Sequence, residues 1–143
     1  MTQAFQTIIE LSGDHCARLV NHMHATNALV GYIHQQNVDA GWWNDLQTGE
    51  SLIGKRNVGE LIALVHSELS EALEAHRKDL MDDKLPHRKG IEVELADAVI
   101  RIYDMAGGLG LDLGGAIVEK LEYNRKRADH KPENRRAVGG KKI

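Results

Sequence analysis

Residues 57–80 read NVGELIALVHSELSEALEAHRKDL, and their spacing decides the fold. Apolar side chains recur every three to four residues, the period of a helix with one buried face. Asn57 suits the N-cap, and Glu60 three residues later completes a capping-box pattern. On a helical wheel with Leu61 at zero, Leu64, Val65, Ala72 and Ala75 share the arc expected to be buried. Glu68 falls at about 340°, inside that arc. Glu71 lies at its margin, and Glu74 lies further out. Burying an unpaired ionised carboxylate costs several kcal/mol or forces protonation. Glu68 therefore needs a basic partner, a proton or a metal ion.

The stretch 91–108, IEVELADAVIRIYDMAGG, repeats the pattern. Ile91, Leu95, Ala98, Ile102, Met105 and Ala106 form its apolar arc, and Glu94 and Asp97 share one edge of it. Arg101 and Asp104 continue that edge. Two consecutive helices thus carry carboxylate pairs at i, i+3 beside their buried faces. The short connection at Lys84-Leu85-Pro86 favours antiparallel packing, which brings the pairs together. Converging carboxylates repel one another, and a hard divalent cation relieves the repulsion. All-oxygen ligation favours Mg²⁺, with Mn²⁺ as the alternative, over Zn²⁺.

The remaining sequence is read outward from these two helices. Residues 2–36 show helical spacing, with Leu19, Val20, Met23, Val30 and Ile33 as core positions. Ser12-Gly13-Asp14 is expected to split off a short leading piece. A loop over 37–56 holds Trp42 and Trp43 among Gly, Asn and Asp. Gly107-Gly108 is expected to close the second acidic helix. Asp112 caps a last helix over about 113–128, and Pro132 with Gly139-Gly140 predicts an extended tail. Strand-like alternation is absent. The expected architecture is all-α, with four to five helices in a single domain over 1–130 and a basic tail over 131–143.

The chain has 143 residues, 42% of them apolar, which is enough for a folded core. Its 18 Lys+Arg and 21 Asp+Glu give a net charge of −3. That balance hides a body near −9 and a last 19 residues near +6. The acidic body argues against nucleic acid as a partner. The single cysteine, Cys16, excludes an internal disulfide framework. No leader pattern and no run of 18 apolar residues is present, so a cytoplasmic protein without a membrane partner is expected. Gly107–Gly115 lacks the Gly-Lys-Ser/Thr of a P-loop. The histidines form neither a His-Glu-x-x-His nor a Glu-x-x-His pattern, which excludes the corresponding zinc and di-iron sites.

In the last helix, Lys120, Asn124 and Arg127 follow i, i+4, i+7 spacing and share one stripe beside Ile117 and Leu121. Cations near a carboxylate–metal centre suit a polyphosphate. The ordered set is Glu68-x-x-Glu71, then Glu94-x-x-Asp97, then Lys120-x-x-x-Asn124.

That set resembles the MazG-like all-α nucleoside triphosphate pyrophosphohydrolases. The closest stretches are HSELSEALEAHR (66–77), EVELADAVIRIYDMAGGLGLDL (92–113) and EKLEYNRKRADHKPENR (119–135), the last similar to small phage-type members. The resemblance implies hydrolysis of a (deoxy)nucleoside triphosphate to the monophosphate and pyrophosphate with Mg²⁺, for control of the nucleotide pool. It makes Glu68, Glu71, Glu94 and Asp97 the metal ligands, with Glu71 also orienting the attacking water. Lys120, Asn124 and Arg127 become phosphate or sugar contacts. Trp42, Trp43 and His34, ahead of the first acidic helix, become base-pocket candidates, with one tryptophan expected in the core and the other stacking on a base. This chain has Ser67-Glu68 where many members have two adjacent glutamates. Members of the family assemble as homodimers or homotetramers, and a phage-encoded member acts in the host cytoplasm. The competing readings are a pyrophosphohydrolase for a related nucleotide such as phosphoribosyl-ATP, and a non-catalytic helical interaction module.

Overall fold

A computed structural model describes residues 13–141. The leading piece expected before Gly13, and Lys142 of the tail, lie outside the described residues. Five α-helices account for most of what is described: α1 (Gly13–Asp39), α2 (Val58–Lys78), α3 (Gly90–Gly108), α4 (Leu113–Lys126) and α5 (Pro132–Arg136), with a 3₁₀ turn at Ala128–His130. The only β pairing among the described residues is two isolated bridges, Asn44 with Ser51 and Met81 with Lys89. The chain is therefore all-α. No described helix is long and apolar enough to cross a membrane.

The chain falls into two compact units. One ends at Asn27 and resumes at Asp112; the other is Ala28–Leu111.

In the second unit, α2 begins as its sequence dictates. The Asn57 side chain accepts from the backbone N–H of Gly59 and Glu60, satisfying two donors the helix itself leaves open. The helix ends at Asp79, whose left-handed backbone (φ 49°) lets its N–H reach back to the last carbonyls. The link to α3 is held by backbone bonds from Gly90 to Leu80 and from Asp82 to Arg88. Ala75 faces Gly90 across the pair, and Glu68 faces Arg101. Contacts that climb one helix while descending the other define an antiparallel hairpin. Small residues make the close approach: Ala72 and Ala75 on α2, and Gly90, Ala98 and Ala106 on α3, are all buried.

The helix ends at Gly108, where the glycine pair placed its end, but the capping residue is Leu109. Both glycines lie inside α3, and the turn out of it falls at Leu109 and Gly110. Their role is steric. A Cβ on Gly107 would strike the His34 side chain, and one on Gly108 would strike the tip of the Trp43 indole. The loop over 40–56 is ordered by its own bonds. Asp45 accepts from the backbone of Gln47 and Thr48, and Leu52 N–H donates to Trp43 C=O at 2.7 Å. This turn sends two adjacent side chains opposite ways: Trp43 is 1% exposed and Trp42 is 68% exposed.

In the other unit, Leu19, Met23 and Val118 form a small core, with Cys16 and Val20 packed against it. Asp112 caps α4 by accepting from Gly115 N–H, and Asn27 bonds both Asp112 and Gly114 N–H at 2.8 Å. The buried face of α4 runs through Gly114, Gly115, Val118 and Glu122, while Ile117 and Leu121 are exposed. Part of the tail differs from the extended form expected: Pro132 at the start of α5 supports a short helical turn there.

Candidate functional site

Glu68 sits where the wheel put it, 6% exposed among the apolar side chains of α2. Its compensation is a basic partner. Arg101 Nε on α3 donates to Glu68 Oε1 at 2.5 Å. The antiparallel pairing also delivers Glu94 and Asp97 to the same place. One carboxylate oxygen from each of Glu68, Glu94 and Asp97 lies within 4.8 Å of the others, a group that could hold a metal ion.

The electrostatics of this cluster are those of crowded acids. Burial pushes the Glu94 carboxyl above its ordinary range, and repulsion from Glu71, Glu68 and Asp97 adds to it. Asp97 is raised by burial and by Glu68, with Arg101 opposing. A single guanidinium therefore does not neutralise the group. A divalent cation would relieve what Arg101 leaves, and three carboxylate oxygens are the donor set of a hard cation. The residues present fit such an ion.

Glu71 is exposed on α2, outside the three-carboxylate group but near enough to act on Glu94. Glu74 is engaged elsewhere, pairing with Lys78 at 2.5 Å one turn on.

Glu68, Asp97 and Arg101 also line a cleft of about 460 Å³. Its other walls include Asn37, Trp42, Arg56 and Asp104, with Leu64 and Ile100 as apolar lining. Trp42 is the tryptophan presented to this space. Arg56 braces it, donating to the Trp42 carbonyl at 3.2 Å while its guanidinium lies 5.3 Å from the centre of the Trp43 ring.

Trp43 and His34 are turned to a different task. Trp43 Nε1–H and His34 Nδ1–H both donate to Asp104 Oδ1, each at 2.8 Å. The two rings meet edge to face at 5.0 Å. Neither ring lines the cleft; both support it from behind. Arg101 and Asp104, which the spacing placed on the acidic edge of the helix, and Arg56 and Asn37 are cleft residues to which the sequence reading gave no role. A signal existed for Asp104, since it follows Asp97 by seven residues and returns to the same helix edge.

Lys120, Asn124 and Arg127 belong to the other unit. Arg127 closes a two-point pair with Asp129, which lowers the Asp129 carboxyl and raises the guanidinium further. Lys120 lies 4.9 Å from the centre of the Tyr123 ring. Asn124 Oδ1 is buried and accepts no hydrogen bond among the described residues.

The fold and the site together define an all-helical protein with a carboxylate cluster beside an open, mixed-charge cleft. Compared with known proteins, the chain matches no family model, no curated protein and no solved structure.

Proposed function

We propose that this protein is a Mg²⁺-dependent nucleoside triphosphate pyrophosphohydrolase of the MazG-like kind, acting in the cytoplasm on the nucleotide pool. The observation that carries the reading is the meeting of Glu68, Glu94 and Asp97 across two antiparallel helices, at one end of a cleft that holds Trp42 at another wall. A surface scatter of acids has no reason to converge, to bury Glu68 and to raise two carboxyls by burial and mutual repulsion.

Glu68, Glu94 and Asp97 would hold the cation, with Glu71 at their margin. When bound, Mg²⁺ supplies neutralisation of the triphosphate charge and a more acidic water. The chain's own residues do the rest. Trp42 offers an exposed aromatic face for a nucleobase. Arg56 and Arg101 offer guanidinium donors to phosphate oxygens. The exposed Glu71 carboxylate accepts a proton from the attacking water as its oxygen bonds to the α-phosphorus. The bond from that phosphorus to the bridging oxygen breaks, and pyrophosphate leaves. The family resemblance alone assigns phosphate and sugar contacts to Lys120, Asn124 and Arg127, which belong to the other unit. The unpartnered Asn124 oxygen suits a hydroxyl, which can donate to it, better than a phosphate oxygen, which cannot.

A homo-oligomer is part of the reading. Ile62, Leu69 and Leu73 on α2, and Leu95 and Val99 on α3, are large apolar side chains left exposed on one chain at helical spacing.

Pyrophosphate release from nucleoside triphosphates, measured with and without Mg²⁺, tests the function. Unchanged turnover in Glu71→Ala would remove Glu71 from the mechanism. The competing module reading expects no turnover and no Mg²⁺-linked rise in melting temperature.

A further inference from the structure

Asp104 stands seven residues beyond Asp97 on α3, two helical turns or about 10 Å along the axis and on the same side. The distance is comparable to the reach of a nucleoside from its 5′-phosphate to the far edge of its base. Both aspartates line the cleft.

The two oxygens of Asp104 have unequal surroundings. Oδ1 takes two donors, His34 Nδ1–H and Trp43 Nε1–H. Oδ2 receives none from the described residues. Two donors on one oxygen fix the plane of the carboxylate. Trp43, wedged against the bare backbone of Gly108, keeps its donor from moving. The side chain is only 13% exposed, so water has limited access to it. A fixed, poorly hydrated acceptor on a cleft wall is matched by a ligand that brings an N–H.

Resting on the nucleotide reading above, the geometry points to Asp104 as a specificity-determining residue whose free oxygen accepts a hydrogen bond from an exocyclic amino group of the base. Cytosine, adenine and guanine carry such a group. Uracil and thymine carry a keto oxygen where cytosine carries its amino group, and their one N–H on that edge, at N3, lies between two keto oxygens whose lone pairs would face the carboxylate. The substrates are therefore nucleoside triphosphates with an amino-bearing base.

The test is a panel of dCTP, dATP, dGTP, dTTP and dUTP, followed by pyrophosphate release and by equilibrium binding. At least one amino-bearing substrate should exceed both dTTP and dUTP in kcat/KM by about 100-fold or more. Asp104→Asn keeps an oxygen for His34 and Trp43 but turns the free acceptor into a donor. It should shrink that ratio at least about tenfold, chiefly by weakening the preferred substrate. Wild-type turnover of dTTP or dUTP equal to the best amino-bearing substrate overturns the assignment and leaves the pyrophosphohydrolase reading standing. A folded Asp104→Asn with the ratio intact overturns it likewise. Neither binding nor turnover of any nucleotide overturns both. If Asp104→Asn does not fold, the wild-type panel decides alone.

Discussion

Among the described residues each unit buries one glutamate, and the two are held in opposite ways. Glu122, on α4, is 3% exposed, and both of its oxygens are taken: Oε1 by His15 at 2.9 Å, and Oε2 by the Nε and terminal nitrogen of Arg125. Its carboxyl is held below the ordinary range, by His15 first and by Arg125 after. Glu68, on α2, has Arg101 on one oxygen and two further acids as neighbours. Its surroundings raise Glu94 and Asp97 rather than lowering them. Glu122 is a finished network that ties α1 to α4 within its unit. The Glu68 cluster keeps uncompensated negative charge, as expected of a group that waits for a cation.

The largest effect should separate the two by function. Glu94→Gln removes one ligand and part of the repulsion. Turnover should fall by about 100-fold or more, and the Mg²⁺-induced rise in melting temperature should vanish. The metal-free protein should melt no lower than wild type, because a repelling charge has gone. Metal-free Glu94→Gln that melts well below wild type would show the cluster to be structural. Glu122→Gln should do the reverse. It leaves His15 and Arg125 facing a neutral amide and should cost about 2–4 kcal/mol of stability, read by denaturant melts, with the Mg²⁺ response retained.

Stability against pH sharpens the same contrast. A carboxyl lowered by folding stabilises above its unfolded value and loses that contribution as pH falls through its folded value. Glu122 therefore adds to the acid limb of unfolding, and Glu122→Gln should flatten that limb. A carboxyl raised by folding works in the other sense. Its contribution is present below the unfolded value and is lost as pH rises through the folded one. Glu94 and Asp97 should make the metal-free protein lose stability as pH climbs from about 4 upward. Added Mg²⁺ binds the ionised form and should offset that loss, so its effect on melting should grow with pH over the same range. A Mg²⁺ effect that is flat across this range would break the comparison.

Much of the acid cluster was legible because a wheel needs only helical spacing. Leu61 and Ala72 share an arc with Glu68, so a buried carboxylate follows from position alone. Glu122 was readable by the same means, four residues after Val118, but Ile117 and Leu121 drew the apolar stripe to the neighbouring edge. That edge is exposed, because the close approach of α1 is at Gly114, against the Met23 carbonyl and Asn27, and a glycine carries no hydrophobic signal. The glycine pair at 107–108 marked the helix end, but its steric role was hidden for a related reason. Glycine marks helix ends and close contacts alike, and the side chain that needed the space, Trp43, lies 65 residues away in sequence. The cleft wall made by Arg56, Asp104 and Trp42 depends on how a loop folds back on a helix, which no local period encodes.

The smallest expected effect concerns the basic tail, which belongs to the unit of Glu122. Residues 131–143 hold five basic side chains against Glu133, about +4 of the +6 carried by the last 19 residues, and the Arg135 Nε donates to the Lys141 carbonyl. Deleting residues 131–143 removes exposed cations while leaving the α4 network of His15, Glu122 and Arg125 intact. If those cations only steer a polyphosphate toward the protein, KM should rise a few-fold at low ionic strength, and the rise should disappear by about 0.5 M salt, where the screening length falls below about 5 Å. kcat should not change. A loss of kcat that salt does not mask would mean that the tail enters the site of turnover, and the division between a structural unit and a charged, reactive one would no longer hold.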